Sequence, residues 1–251
     1  MRLFRVSQVA RCCKRVKLEE TNECQAILKK LESLSDPRAV AGVVQFGINP
    51  SNTYGVSIPK LRELARQIGR NHRLAQRLWS SGVHEARMLA ALIDSPERVT
   101  EQQMESWVKD FDSWDVCDGC CGNLFDKTEF AYSKAVAWSK RPEEFVKRAG
   151  FVLMAQLAVH DKEANDRKFD NFFSIIRREA TDHRNFVKKA VNWALRQIGK
   201  RNRHLNQLAV ETAKEIRNID SKAAKWIAAD ALRELTSAAV QMRLRGRDSL
   251  P

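Results

Sequence analysis

The segment Phe145-Val146-Lys147-Arg148-Ala149-Gly150-Phe151-Val152-Leu153-Met154 has the pattern of a helix with apolar residues on nearly all sides. Such a helix is buried, so we expect it near the centre of the molecule. A basic residue followed by small and apolar residues recurs elsewhere, as Ala86-Arg87-Met88-Leu89-Ala90, Lys188-Lys189-Ala190-Val191 and Ala224-Lys225-Trp226-Ile227. With the segment around Trp114 between the first two, the spacing is roughly 30 to 40 residues, the pitch of repeats built from helical pairs.

Helical patterns follow one another along the chain, and no stretch alternates with period two, so we predict an all-α fold. A helical pair cannot bury its apolar face alone. Stacked HEAT-like pairs form a right-handed superhelical solenoid with a concave groove, and an irregular helical bundle is the alternative. We expect one solenoid domain over residues 19–240, a poorly ordered basic arm at 1–18 and a basic tail at 241–251.

The charge of the chain indicates its class of partner. The 251 residues carry a net charge of +13, which favours a polyanionic partner, with nucleic acid as the leading candidate. Apolar runs fall short of the ~18 residues that a membrane span needs, so we expect a protein without a membrane segment. The arm at 1–18 is basic with no acid before Glu19, which also fits an organelle-targeting presequence, although we expect a cytoplasmic protein.

The six cysteines include two adjacent pairs, which favours a reducing compartment over a disulfide framework. Cys117 and Cys120 have half the spacing of a zinc site, but no second Cys or His pair follows at the usual distance. We therefore expect neither a metal nor a cofactor.

A second segment, Asp112-Ser113-Trp114-Asp115-Val116-Cys117-Asp118, places carboxylates beside an indole in a basic protein. Trp114 and Asp118 are four residues apart and share one face of a helix, while the apolar positions cluster on another side. We expect this pair at the edge of the packed stripe, facing a groove. The alternative is a core aromatic and a surface or ion-paired carboxylate.

The helix around Trp193 has an apolar stripe, and Trp193 lies opposite it with Lys189, Arg196 and Lys200. No acidic residue occurs between Asp182 and Glu211, whereas seven cations do: Arg184, Lys188, Lys189, Arg196, Lys200, Arg201 and Arg203. An aromatic among cations is typical of nucleic-acid contact, and a solvated charged face is the alternative. We expect core packing for Trp79, Trp107, Trp138 and Trp226.

Arg148 lies in the apolar segment 145–154. A guanidinium there must be paired or face a groove, because an unpaired buried charge is too costly. Asp118, one repeat earlier, is the natural partner, and the two residues then form either part of a site or only an ion pair between helices.

Four segments in order resemble the AlkD-like DNA alkylation repair family. They are Tyr54-Gly55-Val56-Ser57-Ile58-Pro59-Lys60-Leu61-Arg62, Ser113-Trp114-Asp115-Val116-Cys117-Asp118, Lys147-Arg148-Ala149-Gly150-Phe151 and Lys189-Ala190-Val191-Asn192-Trp193-Ala194-Leu195-Arg196. The resemblance implies a HEAT-like solenoid that holds duplex DNA and a glycosylase that releases cationic N3- and N7-alkylated purines without base flipping. The first, loop-proximal aromatic contact of some relatives has no secure counterpart here.

By the same resemblance, Asp118 matches the catalytic carboxylate, Trp114 and Trp193 match the indoles that hold the deoxyribose of the lesion, and Arg148 matches the arginine beside them. The resemblance implies that Arg148 binds the phosphate next to the lesion and keeps Asp118 ionised. We expect Lys188, Lys189, Arg196, Lys200 and Arg201 to contact the DNA, and the protein to act as a monomer. Two alternatives stay open, a HEAT-like DNA-binding protein without catalysis and a protein-interaction solenoid.

Overall fold

The computed structural model describes residues 22–248, and every regular element in that range is helical. The α-helices are α1 (22–33), α2 (Pro37–Val43), α3 (Ile58–Ile68), α4 (His72–Ser80), α5 (His84–Ile93), α6 (Glu101–Trp107), α7 (Trp114–Asn123), α8 (Ala131–Trp138), α9 (Glu144–His160), α10 (Arg167–Glu179), α11 (Asn185–Gly199), α12 (Arg203–Arg217), α13 (Lys222–Leu235) and α14 (Ala238–Asp248). The all-α prediction is confirmed. The predicted arm at 1–18 lies outside the described residues, as does the end of the predicted tail.

The chain divides into two compact units between Thr100 and Glu101, and the single solenoid domain over residues 19–240 stays a prediction. In the first unit, α4 packs against α5, and α3 packs on α5. Leu74, Leu78 and Leu89 are fully buried in this core. None of the helices that the structure describes is both long and apolar enough to cross a membrane.

A buried carboxylate in the first unit fixes the loop that precedes α3. Glu85 on α5 accepts the backbone N–H groups of Tyr54, Gly55 and Val56, at distances of 2.6 to 3.2 Å. Gly55 has φ +77°, and a Cβ there would lie 2.5 Å from the carbonyl oxygen of Asp36. Only glycine therefore fits this turn.

In the second unit, alternate helices pack side by side. The contacts of Cys117 with the Phe145 carbonyl and of Cys121 with the Ala149 carbonyl show that α7 and α9 run parallel. Residues of α11 pair with residues of α13 in the same ascending order, so these two helices are also parallel. Helices α9 and α11 pack together between them, while α8 packs on α9 and α12 on α13. This is the arrangement expected of repeated helical pairs.

Helix α9 is central to the second unit, as its apolar pattern predicted, and Phe151, Leu153 and Met154 are fully buried. Its close approach to α8 depends on Gly150, because a Cβ at that position would lie 2.5 Å from the backbone nitrogen of Ser139. The missing side chain allows the two helices to touch through their backbones.

The helical pattern of the sequence runs without interruption from Lys222 to Arg245 and predicts one helix there; this prediction is wrong, because the chain breaks between α13 and α14. The hydroxyl of Thr236 donates to the Leu232 carbonyl at 2.8 Å, and the Ser237 hydroxyl accepts the Val240 N–H at 3.4 Å. Short hydroxyl side chains compete with helical hydrogen bonds in this way. The helical spacing of the apolar residues continues across this break, so the break could not be predicted from the spacing.

Candidate functional site

Arg148 and Asp118 form the centre of the candidate site. Arg148 Nε donates to Asp118 Oδ1 at 2.9 Å, and Arg148 Nη2 donates to Asp118 Oδ2 at 2.7 Å. A third bond, from Arg148 Nη1 to the carbonyl oxygen of Phe186 at 2.6 Å, connects the pair to the start of α11. The side chain of Arg148 is 7% exposed and that of Asp118 is 18% exposed. The predicted partner of Arg148 is confirmed, and three helices converge on this guanidinium.

The protonation of Asp118 is set by two opposed effects. Burial raises the pKa of the Asp118 carboxyl, and the charge and hydrogen bonds of Arg148 lower it without offsetting the burial. Arg148 thus acts in the direction that favours the ionised form of Asp118, and its role in keeping this carboxyl ionised stays a prediction. Arg148 also uses three of its five N–H donors on the protein, so only two remain for a phosphate.

The two predicted indoles lie on the helices that carry this pair. Trp114 is the first residue of α7, one turn before Asp118, and is half-buried. Trp193 is also half-buried and lies on α11, seven residues after Phe186 and therefore on the same helix face. The structure shows Asp118 and Arg148 in direct contact. Trp114 lies on the same helix as Asp118, and Trp193 lies on the helix whose Phe186 carbonyl binds Arg148.

The cysteines close to Asp118 in sequence are packed in the core. Cys117, Cys120 and Cys121 are buried, and none of them forms a disulfide bond with a residue that the structure describes. Burial raises the pKa of the Cys121 thiol well above its usual range, which keeps it protonated. Over residues 22–248, no three His, Cys, Asp or Glu side chains are grouped so as to hold a metal ion.

Two of the cations predicted to contact DNA are paired with acids of the next repeat. Lys200 Nζ donates to Glu234 Oε1 at 2.6 Å. Arg196 Nη1 pairs with Glu234 Oε2, and Arg196 Nε lies 3.6 Å from Asp230 Oδ2. These acids were missed from the sequence because they lie on α13, outside the acid-free stretch. Their spacing of four residues, which places both on one helix face, was the available signal.

The other predicted cations have different surroundings. Arg201 donates to three backbone carbonyls in segment 158–164, at 2.8 to 3.2 Å, and so ties the end of α11 to the end of α9. Lys188 Nζ lies 4.8 Å from the ring centroid of Trp226. Lys189 is exposed and has no ion pair with any residue that the structure describes.

Of the tryptophans expected in the core, three are buried: Trp79, Trp107 and Trp138. The expectation for Trp226 is wrong, because this residue is 40% exposed. It occupies the α13 face toward the start of α11, where Lys188 lies against it.

Comparisons with known proteins agree with this architecture. The family model described as DNA alkylation repair enzyme matches residues 27–235. A Listeria monocytogenes protein named Uncharacterized protein Lmo0209 is 24% identical over 131 residues, which cover 51% of this chain and 58% of that protein. The chain thus spans less than two thirds of the length of that relative.

A solved structure has the same fold. It is described as "A new family of proteins related to the HEAT-like repeat DNA glycosylases with affinity for branched DNA structures", and it aligns with a TM-score of 0.71 and 19% identity. The alignment covers 88% of this chain and 95% of that one. By the family model and this shared HEAT-like architecture, the chain belongs to the DNA alkylation repair enzyme family.

Proposed function

We propose that this protein is a DNA glycosylase that hydrolyses the N-glycosidic bond of cationic N3- and N7-alkylated purines in duplex DNA, without moving the base into a pocket. The observation that carries the proposal is the Asp118 carboxylate, partly exposed and held by both oxygens on the buried Arg148. A rigid carboxylate of this kind is pre-organised to stabilise positive charge that develops nearby. The proposed enzyme acts as a monomer, in the cytoplasm, without a metal or cofactor.

The chemistry needs few groups because the substrate base is already charged. When the bond from C1′ to the purine nitrogen breaks, the bonding electrons leave with the base, which becomes neutral without protonation by a general acid. The sugar gains oxocarbenium character, and Asp118 stabilises that charge. Water then adds to C1′ and loses a proton, which Asp118 accepts or passes to solvent. One carboxylate suffices, whereas ordinary glycoside hydrolysis uses two.

The remaining residues of the proposed site orient the lesion. Trp114 and Trp193 hold the deoxyribose by their indole faces, and each face favours nearby cationic character by about 0.5 to 2 kcal/mol. Arg148 fixes the direction of the Asp118 oxygens. Its two spare donors are available to the phosphate beside the lesion.

A second candidate function is DNA binding without excision. The observation that favours it is the complete bidentate pairing of Asp118, which leaves fewer lone pairs to direct a water molecule. The structural relative with the same fold is described by its affinity for branched DNA, which fits binding as a function in its own right.

The two functions are separated by release of 7-methylguanine from methylated duplex DNA under single-turnover conditions. We expect release by the wild type and none by Asp118→Asn, with duplex binding retained in both. Asp112→Asn is the matched control, because it removes an exposed carboxylate of the same segment just before α7, and it should retain release. Salt-sensitive binding without release by the wild type would replace the glycosylase with the DNA-binding candidate.

A further inference from the structure

Trp226 is the most exposed of the six tryptophans, all of which lie in the part of the chain that the structure describes. Large aromatic side chains are usually well buried, so an indole left 40% exposed on a stable helix calls for an explanation. The ring is held in place, because α13 continues for more than two turns beyond it and Lys188 of α11 lies over its face at 4.8 Å. A fixed aromatic surface costs little entropy when a ligand covers it.

The surroundings of Trp226 are cationic. Lys222 is exposed and lies one helical turn before Trp226. Lys188 lies over the ring, and Lys189, the next residue along α11, is exposed. The neighbouring Lys225 pairs with Asp220 at 2.8 Å. Acidic side chains of α13 begin one turn later, at Asp230, which accepts a hydrogen bond from Asn192. The platform formed by Trp226, Lys188 and Lys222 therefore attracts anions.

The composition of this platform favours a nucleic acid over a protein. Protein interfaces are depleted in lysine and bury several apolar side chains together, whereas here one aromatic lies among lysines. Proteins bind single-stranded nucleic acids through cations that neutralise the phosphate backbone and through aromatic side chains that stack on the bases. In a continuous duplex each base is covered by its neighbours, so an indole finds a free base face only where the strand is unpaired.

We propose that the Trp226 platform is a second DNA-contact site, in which an unpaired nucleotide stacks on the indole in place of Lys188 while the displaced Lys188 and Lys222 contact its phosphates. The proposal rests on the proposed function only in taking DNA as the ligand, since excision is not required. The protein then binds a duplex that carries a single-stranded extension more tightly than the same duplex alone.

The test measures affinity by fluorescence anisotropy, using an undamaged duplex with and without a thymidine tail at the 3′ or the 5′ end. We expect one tail to raise the affinity of the wild type about ten-fold, within the range for one stacked base. Trp226→Leu should lose this gain, and Trp226→Phe, which keeps an aromatic face, should retain part of it. Met242→Ala is the matched control, because it removes another exposed apolar side chain, on α14, and should keep the full gain.

Equal affinity of the wild type for tailed and untailed duplexes would overturn the proposal, as would a full gain in Trp226→Leu. If Trp226→Leu does not fold, the proposal is tested by photo-crosslinking of the wild type to a tail that contains iodouracil. A crosslink at Trp226 supports the platform, and crosslinks only at other residues contradict it. Because the DNA is undamaged, a protein that excises nothing can pass this test, and an active glycosylase can fail it.

Discussion

Arg148 on α9 holds both carboxylate oxygens of Asp118 on α7, 30 residues away in sequence, and both side chains are largely buried. The contact joins two parallel helices and also defines the one carboxylate in the proposed mechanism. Changes at either residue should therefore alter stability and chemistry together, in ways that can be measured separately.

The pH dependence of excision should follow the raised pKa of Asp118. Burial raises this pKa more than Arg148 lowers it, and only the ionised carboxylate stabilises the sugar cation. Single-turnover release of 7-methylguanine should therefore fall as the pH decreases, with a midpoint above the ordinary aspartate value of about 3.9. Release without enzyme is subtracted at each pH. A rate that stays constant down to about pH 4 would contradict this assignment.

Arg148→Met should be strongly destabilising, because it leaves the Asp118 carboxylate without its buried counter-charge. Removal of one partner from a buried ion pair costs about 3–5 kcal/mol of unfolding free energy. The double variant Asp118→Asn with Arg148→Met should lose less than the sum of its single changes, since no unpaired charge remains. Urea denaturation of the four proteins measures this coupling, and additive losses would show that the pair contributes little.

The salt dependence of duplex binding should distinguish Lys189 from Lys200. Exposed Lys189 is available to a phosphate, so Lys189→Ala should lower the slope of log K against log salt by about 0.9. Lys200 is paired with Glu234, so Lys200→Ala should change the slope less. Glu234→Gln, which releases Lys200 from its acid and leaves Arg196 with Asp230 alone, should strengthen binding at low salt. Anisotropy titrations over a range of salt concentrations measure all three, and equal slopes for Lys189→Ala and wild type would place this face away from DNA.

Gly150→Ala and Gly122→Ala should differ in their effect on stability. A Cβ at Gly150 meets the backbone of α8, which cannot move, whereas a Cβ at Gly122 meets the flexible end of the Gln156 side chain. Overpacking at position 150 should cost about 1–3 kcal/mol of unfolding free energy. Gly122→Ala should be near neutral, because alanine favours a helix over glycine by about 0.8–1 kcal/mol. Thermal denaturation compares the two, and equal melting temperatures would contradict the close approach of α8 and α9.

Much of this molecule could be predicted from the sequence. The helical period is a local property of the chain, so it predicted the all-α fold and the central position of α9. The pairing of Arg148 followed from the cost of an unpaired buried charge and from the position of Asp118 one repeat earlier. The AlkD-like motifs indicated the family that the family model then matched.

Most contacts between repeats could not be predicted from the sequence. Arg196 and Lys200 find acids 34 to 38 residues away, and Trp226 stands exposed instead of entering the core. These outcomes depend on the register in which α13 packs on α11, and a period within one helix carries no information about its register with another. The local sequence thus specifies the helices and the chemistry available to their side chains, whereas the packing of one helix on another selects which charges are neutralised within the protein and which face outward.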